Sequence, residues 1–191
     1  YKPNEKLIRL YNNLEFAYLK DETETDTITL DTFVGKYNIE DIDFIKIDVL
    51  GAELDIFKGG KNVLKIVIKI VCEVEFVPLY ESQPLFGDIC GFLKHYDLMF
   101  NKFLGFGGRT LKPLIANEGP NAISQYMWSD AIFIPDVEKL QNLSDEKLLR
   151  LSLLSAIYNS IDLAYFCLLI YDKRNSSNIA KDWINPQNGK N

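Results

Sequence analysis

The sequence predicts an α/β fold with a mainly parallel sheet, followed by a helical hairpin. Three observations carry that expectation. "IDFIKIDV" and "KIVIKIVCEVEFV" are rich in β-branched residues and largely apolar on both faces, as strands covered on both sides are. Segments with apolar residues at helical spacing alternate with these runs, which favours parallel strands joined by crossover helices. Beyond Pro135, two helical patterns follow one another with no strand between them.

Taken in order, Leu7, Ile8, Leu10, Tyr11 and Leu14 predict a short helix or a packed lead-in. "KDETETDTITL" alternates acid and threonine, which predicts an exposed or edge strand over Thr23 to Thr29. Thr29 or Asp31 then caps a helical turn holding Phe33 and Val34. A central strand follows through Ile45 and Ile47, with Lys46 its one charged interior residue. Gly51 and Ala52 open a helix whose apolar side is Leu54, Phe57 and Leu64, and Gly59-Gly60 interrupt it near its middle or end it early. A second buried strand runs from about Val67 to Phe76. Phe86, Ile89, Cys90 and Leu93 predict a helix, and "DLMFNKF" a third strand.

The Gly- and Pro-rich stretch from Leu104 to Gln125 reads as a long loop, and "YMWSDAIFIP" as a last strand. Ser144 caps one helix, and Ser160 and Asp162 start the next. The latter has an apolar face of Leu163, Phe166, Cys167, Ile170 and Tyr171. So apolar a hairpin must pack on the sheet or on another copy. These elements divide the chain into an α/β domain (1–136), a hairpin (137–174) and a tail (175–191) whose Asn, Ser, Lys and Gly content predicts disorder.

Composition narrows the function. The chain of 191 residues is 47% apolar, enough for a real core, and carries a net charge of −6. Its basic residues are scattered, which argues against a nucleic-acid or anionic-membrane surface. No apolar run reaches the roughly 18 residues of a membrane span. Cys72, Cys90 and Cys167 lie far apart in apolar surroundings and form no metal spacing, so reduced thiols in a cytoplasmic protein are expected. The chain opens at Tyr1 rather than Met, from which a truncated form or processed product is expected.

Chemistry concentrates where strands end. In an open α/β sheet, ligands bind beyond the carboxyl ends of the strands. Asp48 ends the first central strand, Gly51 permits close backbone approach, and Glu53 enters the first helical turn. Glu73 and Glu75 share one face of the second strand near its end. Converging acids take a proton from a hydroxyl, hold a divalent cation, or accept hydrogen bonds from a polyol. The plainer alternatives are a helix-start acid at Glu53, and solvent or Lys65 and Lys69 as partners for Glu73 and Glu75. Asp48, ending an apolar strand, needs a partner or a task. Trp128 and Asp130 can line a pocket. His95, the sole histidine, sits late in a helix and reads as a surface residue. The Gly-Phe-Gly-Gly run lacks the context of a phosphate loop.

"TLDTF", "DFIKIDVLGAELDIFKGG", "CEVEFVPLYESQPLFGDICGFL" and "MWSDAIFI", in that order, resemble the FkbM-type S-adenosylmethionine-dependent methyltransferases. The likeness covers Tyr1 to Pro135, and "EVEFVPLY" with "QPLF" points to a bacterial branch. It implies the second half of a Rossmann-like class I methyltransferase sheet, mostly parallel with an antiparallel last strand. It also implies methyl transfer to a hydroxyl of a sugar or secondary metabolite, with S-adenosylmethionine as cofactor and room for a divalent cation. Under this resemblance Asp48, Glu53 and Glu73 are catalytic, with Asp48 as base or metal ligand. Gly51 lies on the cofactor side, and Glu75, Trp128 and Asp130 face the acceptor.

The chain departs from the family pattern twice. Leu50 stands where the family usually has Glu or Gln, and no strand with a glycine-rich loop precedes Asp48. The chain therefore reads as a C-terminal part, inactive alone and able to dimerise through its sheet edge or C-terminal helices. The competing expectation is a non-catalytic binding or assembly module derived from the same fold.

Overall fold

The computed structural model describes residues 1–115 and 124–185. It falls into two compact units, Tyr1–Phe133 and Ile134–Asn191. The first holds helices α1 (Glu5–Ile8), α2 (Leu30–Lys36), α3 (Glu53–Lys58) and α4 (Phe86–Leu93). Its strands are β1 (Phe44–Ile47), β2 (Lys69–Glu75), β3 (Leu98–Phe103) and most of β4 (Trp128–Pro135). The architecture is mixed α/β around one open four-stranded sheet in the order β1-β2-β4-β3.

Among the described residues only β1 and β2 pair in parallel, with Phe44 opposite Lys69 and Ile47 opposite Cys72. The last strand runs antiparallel and inserts beside β2, placing Ile70 opposite Phe133 and Glu73 opposite Asp130. The antiparallel last strand is thus as expected, but it sits inside the sheet. It replaces a second parallel pairing with two antiparallel ones. β1 differs too. Its run predicts a central strand, yet it is the edge among the described residues, with Phe44 and Ile45 half-buried.

Alternation sorts the faces of β2. Ile70, Cys72 and Val74 enter the main core with Phe57, Ile89, Leu93, Ala131 and Phe133. Val71, Glu73 and Glu75 therefore face the other way. A second cluster joins Ile8, Tyr11, Leu14 and Ala17 of the lead-in to Val77, Leu79 and Met127. Backbone bonds hold the lead-in there, Asn4 N–H donating to the Leu79 carbonyl and Asn12 N–H to that of Thr110. The predicted strand over Thr23–Thr29 is absent. Residues 20–28 are exposed coil, because acid–threonine alternation offers no apolar face to bury.

The two capping candidates divide the work. Thr29 Oγ1 accepts from the Thr32 N–H at 3.2 Å and starts α2. Asp31 caps a different turn, its carboxylate accepting from the Asn62 and Val63 N–H groups. Thr29→Ala is expected to cost about 1 kcal/mol, the usual worth of a cap. A urea melt with a lowered midpoint and unchanged slope would show it; an unchanged midpoint would contradict it.

The second unit holds α5 (Asp145–Ile157), α6 (Ile161–Asn175) and α7 (Ile179–Ile184). Ser144 caps α5 as expected. Ser160 precedes α6 without a side-chain cap bond. Leu148 and Leu151 of α5 are buried with Leu163, Ala164, Cys167 and Leu168 of α6. Phe166, expected on the buried face, is exposed, because that face turns toward Ala164 and Leu168 instead. The predicted disordered tail also differs in its first part. The Asp172 carboxylate accepts from the Ile179 and Ala180 N–H groups, which starts α7 and buries Ala180. Residues 186–191 of that tail lie outside the described residues. No helix of the described residues is long and apolar enough to cross a membrane.

Candidate functional site

The strand-to-helix turn after β1 is built from two left-handed residues, Leu50 at φ 53° and Gly51 at φ 105°. That geometry lets α3 begin at once, and Glu53 closes the turn from behind. Buried to 1% exposure, Glu53 accepts from the Val49 N–H at 2.9 Å through Oε1. Gly51 is needed twice. Its φ is rare for residues with a side chain, and an added Cβ would lie 2.6 Å from Gln83 Nε2. Gln83 is buried and its Oε1 accepts from the Tyr80 N–H, so it cannot simply swing away. Gly51→Ala is therefore expected to destabilise by about 1–3 kcal/mol. A thermal melt checks it, and a wild-type melting temperature would remove the argument.

The sheet register assembles the acids. Glu73 faces Asp130 and Glu75 faces Trp128 across β2 and β4, while Lys46 and Asp48 share one face of β1. Lys46 Nζ lies 3.8 Å from Asp48 and 3.5 Å from Asp130. These are half-exposed, long ion pairs worth little in stability. They make Lys46 a counter-charge bridging two acids.

Proton affinity is shifted most at the two β2 acids. Burial raises Glu73 to about 7, reinforced by Asp48, Glu53 and Asp130 and opposed by Lys46. Burial raises Glu75 to about 8, with Glu53 and Glu73 adding to it. A side-chain hydrogen bond from Gln83 opposes that rise. Glu75 Oε2 and Gln83 Nε2 are both buried, and neither meets a partner at ordinary hydrogen-bond geometry.

Glu73 and Glu75 open into a cleft of about 40 Å³, walled by Phe16, Leu50, Tyr80 and Trp128 among others. Trp128 is held on three sides. Phe16 meets it edge-on at 6.4 Å, Arg109 lies 5.0 Å from its ring centre, and Gly107 backs it. A Cβ on Gly107 would fall 2.2 Å from the indole nitrogen. A larger hollow of about 320 Å³ is lined by Tyr11, Arg109, Pro113, Leu114 and Gln125. Among the described residues no carboxylate lines it.

Asp48, Glu73, Glu75, Trp128 and Asp130 thus come together on one rim, with Glu53 buried beneath the turn. Gly51 packs on Gln83. Sequence reasoning missed Lys46, Phe16 and Gln83 as parts of the site. Lys46 had a signal, a lone charge inside an apolar strand, and Gln83 sits in the quoted "QPLF" motif. Phe16 had none. His95 is exposed, in the turn that ends α4.

The rim does not fit a whole S-adenosylmethionine. Its cleft falls far below the roughly 300 Å³ at which small-molecule sites begin. Between Tyr1 and β1 the described residues form short helices and coil, not a strand with a glycine-rich loop. Among the described residues no three His, Cys, Asp or Glu side chains stand together as a metal site.

Residues 8–98 match the family model described as "Methyltransferase FkbM domain". The match includes Asp48, Gly51, Glu53, Glu73 and Glu75 and stops before Asp130 and Trp128. It bears out the resemblance carried by the motifs. No curated protein and no solved structure matches the chain.

Proposed function

We propose that the chain, whose residues 8–98 are an FkbM methyltransferase domain, supplies the acceptor side of an O-methyltransferase with a Rossmann-like class I sheet. It receives a hydroxyl of a sugar or secondary metabolite at the rim of β1 and β2 and takes its proton. The family uses S-adenosylmethionine generally. The elements that would hold that cofactor are not among the described residues.

The observation that carries this reading is Glu73. Its carboxyl stands two residues before the end of the interior strand β2, opens into the cleft, and has a proton affinity near neutrality. A base poised there exists as carboxylate in useful amount and still binds a proton well. The hydroxyl proton moves to a Glu73 oxygen and its electron pair stays on the acceptor oxygen. Asp48, favoured as base from the sequence, is exposed and paired with Lys46. Its role here is to tune Glu73. Glu53 shapes the turn, and Asp130 and Trp128 flank the acceptor. Reduced Cys72, Cys90 and Cys167 suit a cytoplasmic enzyme.

The test is methyl transfer by the full-length gene product from labelled S-adenosylmethionine to a panel of sugar and polyol hydroxyls, with Glu73→Gln as the variant. Incorporation that depends on Glu73 supports the reading. No labelled product on any acceptor overturns it. Leu50 on the cleft wall, where the family has a polar residue, favours a second reading as a binding module. The two part over S-adenosylhomocysteine, which raises the melting temperature only if the cofactor site exists.

A further inference from the structure

We infer that the hollow of about 320 Å³ around Arg109 binds the phosphate monoester of a small soluble molecule. The binding needs only the residues described. Its role, which is to anchor a phosphorylated acceptor, rests on the acceptor-rim reading.

The volume lies within the roughly 300–1,000 Å³ of small-molecule sites. What singles the hollow out is that its polar groups are turned to donate. Arg109 Nε and Nη1 donate to the Asn13 and Gly108 carbonyls at 3.1 and 2.8 Å, and the guanidinium lies 5.0 Å from the Trp128 ring centre. Its plane is therefore fixed, and Nη2 keeps both protons for a ligand. Thr110 Oγ1 accepts from Asn12 Nδ2 at 2.9 Å, which leaves the Thr110 O–H to donate. Gln125 Oε1 accepts from the Tyr11 hydroxyl at 2.6 Å, which leaves the Gln125 amide protons. The Asn12 amide also occupies the Thr110 and Leu114 carbonyls. Lys112 adds a second cation to the wall, and among the described residues no carboxylate offsets it there.

These donors choose among ligands. A cation would meet two charges of its own sign. A neutral polyol brings a proton with each oxygen, and walls turned to donate leave those protons unmatched. A carboxylate brings two oxygens and one charge. A phosphate monoester brings three terminal oxygens and a charge of about −1.5 to −2, which Arg109 and Lys112 match together. Its carbon stem lies against Leu111, Pro113 and Leu114. The chain carries a net charge of −6, so its overall field repels anions and the attraction is local to these groups.

Arg109 also joins the hollow to the rim. Its guanidinium contacts the Phe16 and Trp128 rings, which wall the cleft that holds Glu73. An acceptor held by its phosphate is thereby tethered next to the acid that takes the proton.

The experiment follows the Arg109 Nε–H and the Trp128 indole N–H by NMR in the full chain as glycerol 3-phosphate is added at constant ionic strength. The Trp183 indole is the internal control. The expected result is a saturable shift at both groups and none at Trp183. Lys112→Gln should weaken binding about tenfold, the usual loss of a charge-assisted bond. An unshifted Trp183 and an unaltered circular dichroism spectrum show that the variant is folded. Undiminished affinity in that variant overturns the inference, as does equal binding of glycerol or acetate. Inorganic phosphate binding as tightly removes the carbon stem from it. Cosedimentation with phosphatidylcholine vesicles containing phosphatidic acid, without any response to glycerol 3-phosphate, overturns the soluble source. Methyl transfer that depends on Glu73 without glycerol 3-phosphate binding sinks the phosphate site alone. Glycerol 3-phosphate binding without any methyl transfer sinks the methyltransferase reading alone.

Discussion

Glu73→Gln in the full-length protein is expected to lower methyl transfer about 10²–10⁴-fold, the usual contribution of a positioned general base. Glutamine keeps the size of the side chain and most of its contacts, but it cannot take a proton. Acceptor binding should change little, so the loss falls on kcat and kcat/KM alike. The wild-type rate should climb with pH through about 7, where Glu73 ionises, and the variant should show no such step. Asp48→Asn provides the contrast. Asp48 raises Glu73 by its charge, so its removal should shift that step to lower pH and cost far less activity. A Glu73→Gln enzyme at wild-type rate would remove Glu73 as base, and a larger loss in Asp48→Asn would hand the role to Asp48.

The second large effect is on stability. Glu75→Gln is expected to stabilise the protein at pH 9 by on the order of 2–4 kcal/mol. In the unfolded chain the carboxyl ionises near 4.5, and in the fold near 8. Between those values the folded state binds more protons than the unfolded state. Glu75 therefore lowers stability steadily from about pH 4.5 to 8, and its effect is constant above that. Below 4.5 the acid is neutral in both states and the advantage of glutamine disappears. Glu73 adds a slope of the same sign that ends nearer pH 7.

The two acids raise one another, so replacing both should gain less than the sum of the single changes. Urea melts from pH 4 to 9 measure all of this. A variant less stable than wild type at pH 9 would mean that a partner satisfies Glu75. Ionised acids held close together at a cost to the fold are the usual mark of a site kept for binding or catalysis.

Residue order alone went a long way here. Apolar runs with β-branched residues marked β1, β2 and β4, because burial on two faces leaves no room for polar residues in the interior of a strand. Thr29, Ser144 and Gly59 marked helix ends, because capping is a contact within one turn. The "KIDVLGAEL" motif located the rim and its acids. Each of these is a local fact, settled by neighbours a few residues apart.

Pairing across the sheet is not local. That β4 lies beside β2 sets Asp130 against Glu73 and Trp128 against Glu75, and no periodicity in either strand encodes that choice. The lead-in brings Phe16 to the same cleft through contacts with residues after β2 and before β4. The face of α6 that is buried follows from its packing on α5, so Phe166 could not be placed from spacing alone. Lys46 becomes a counter-charge only when β1 and β4 flank β2. Hence the sequence identified the acids. Tertiary structure set their proton affinities, because burial and charge proximity belong to the folded pair and not to either residue.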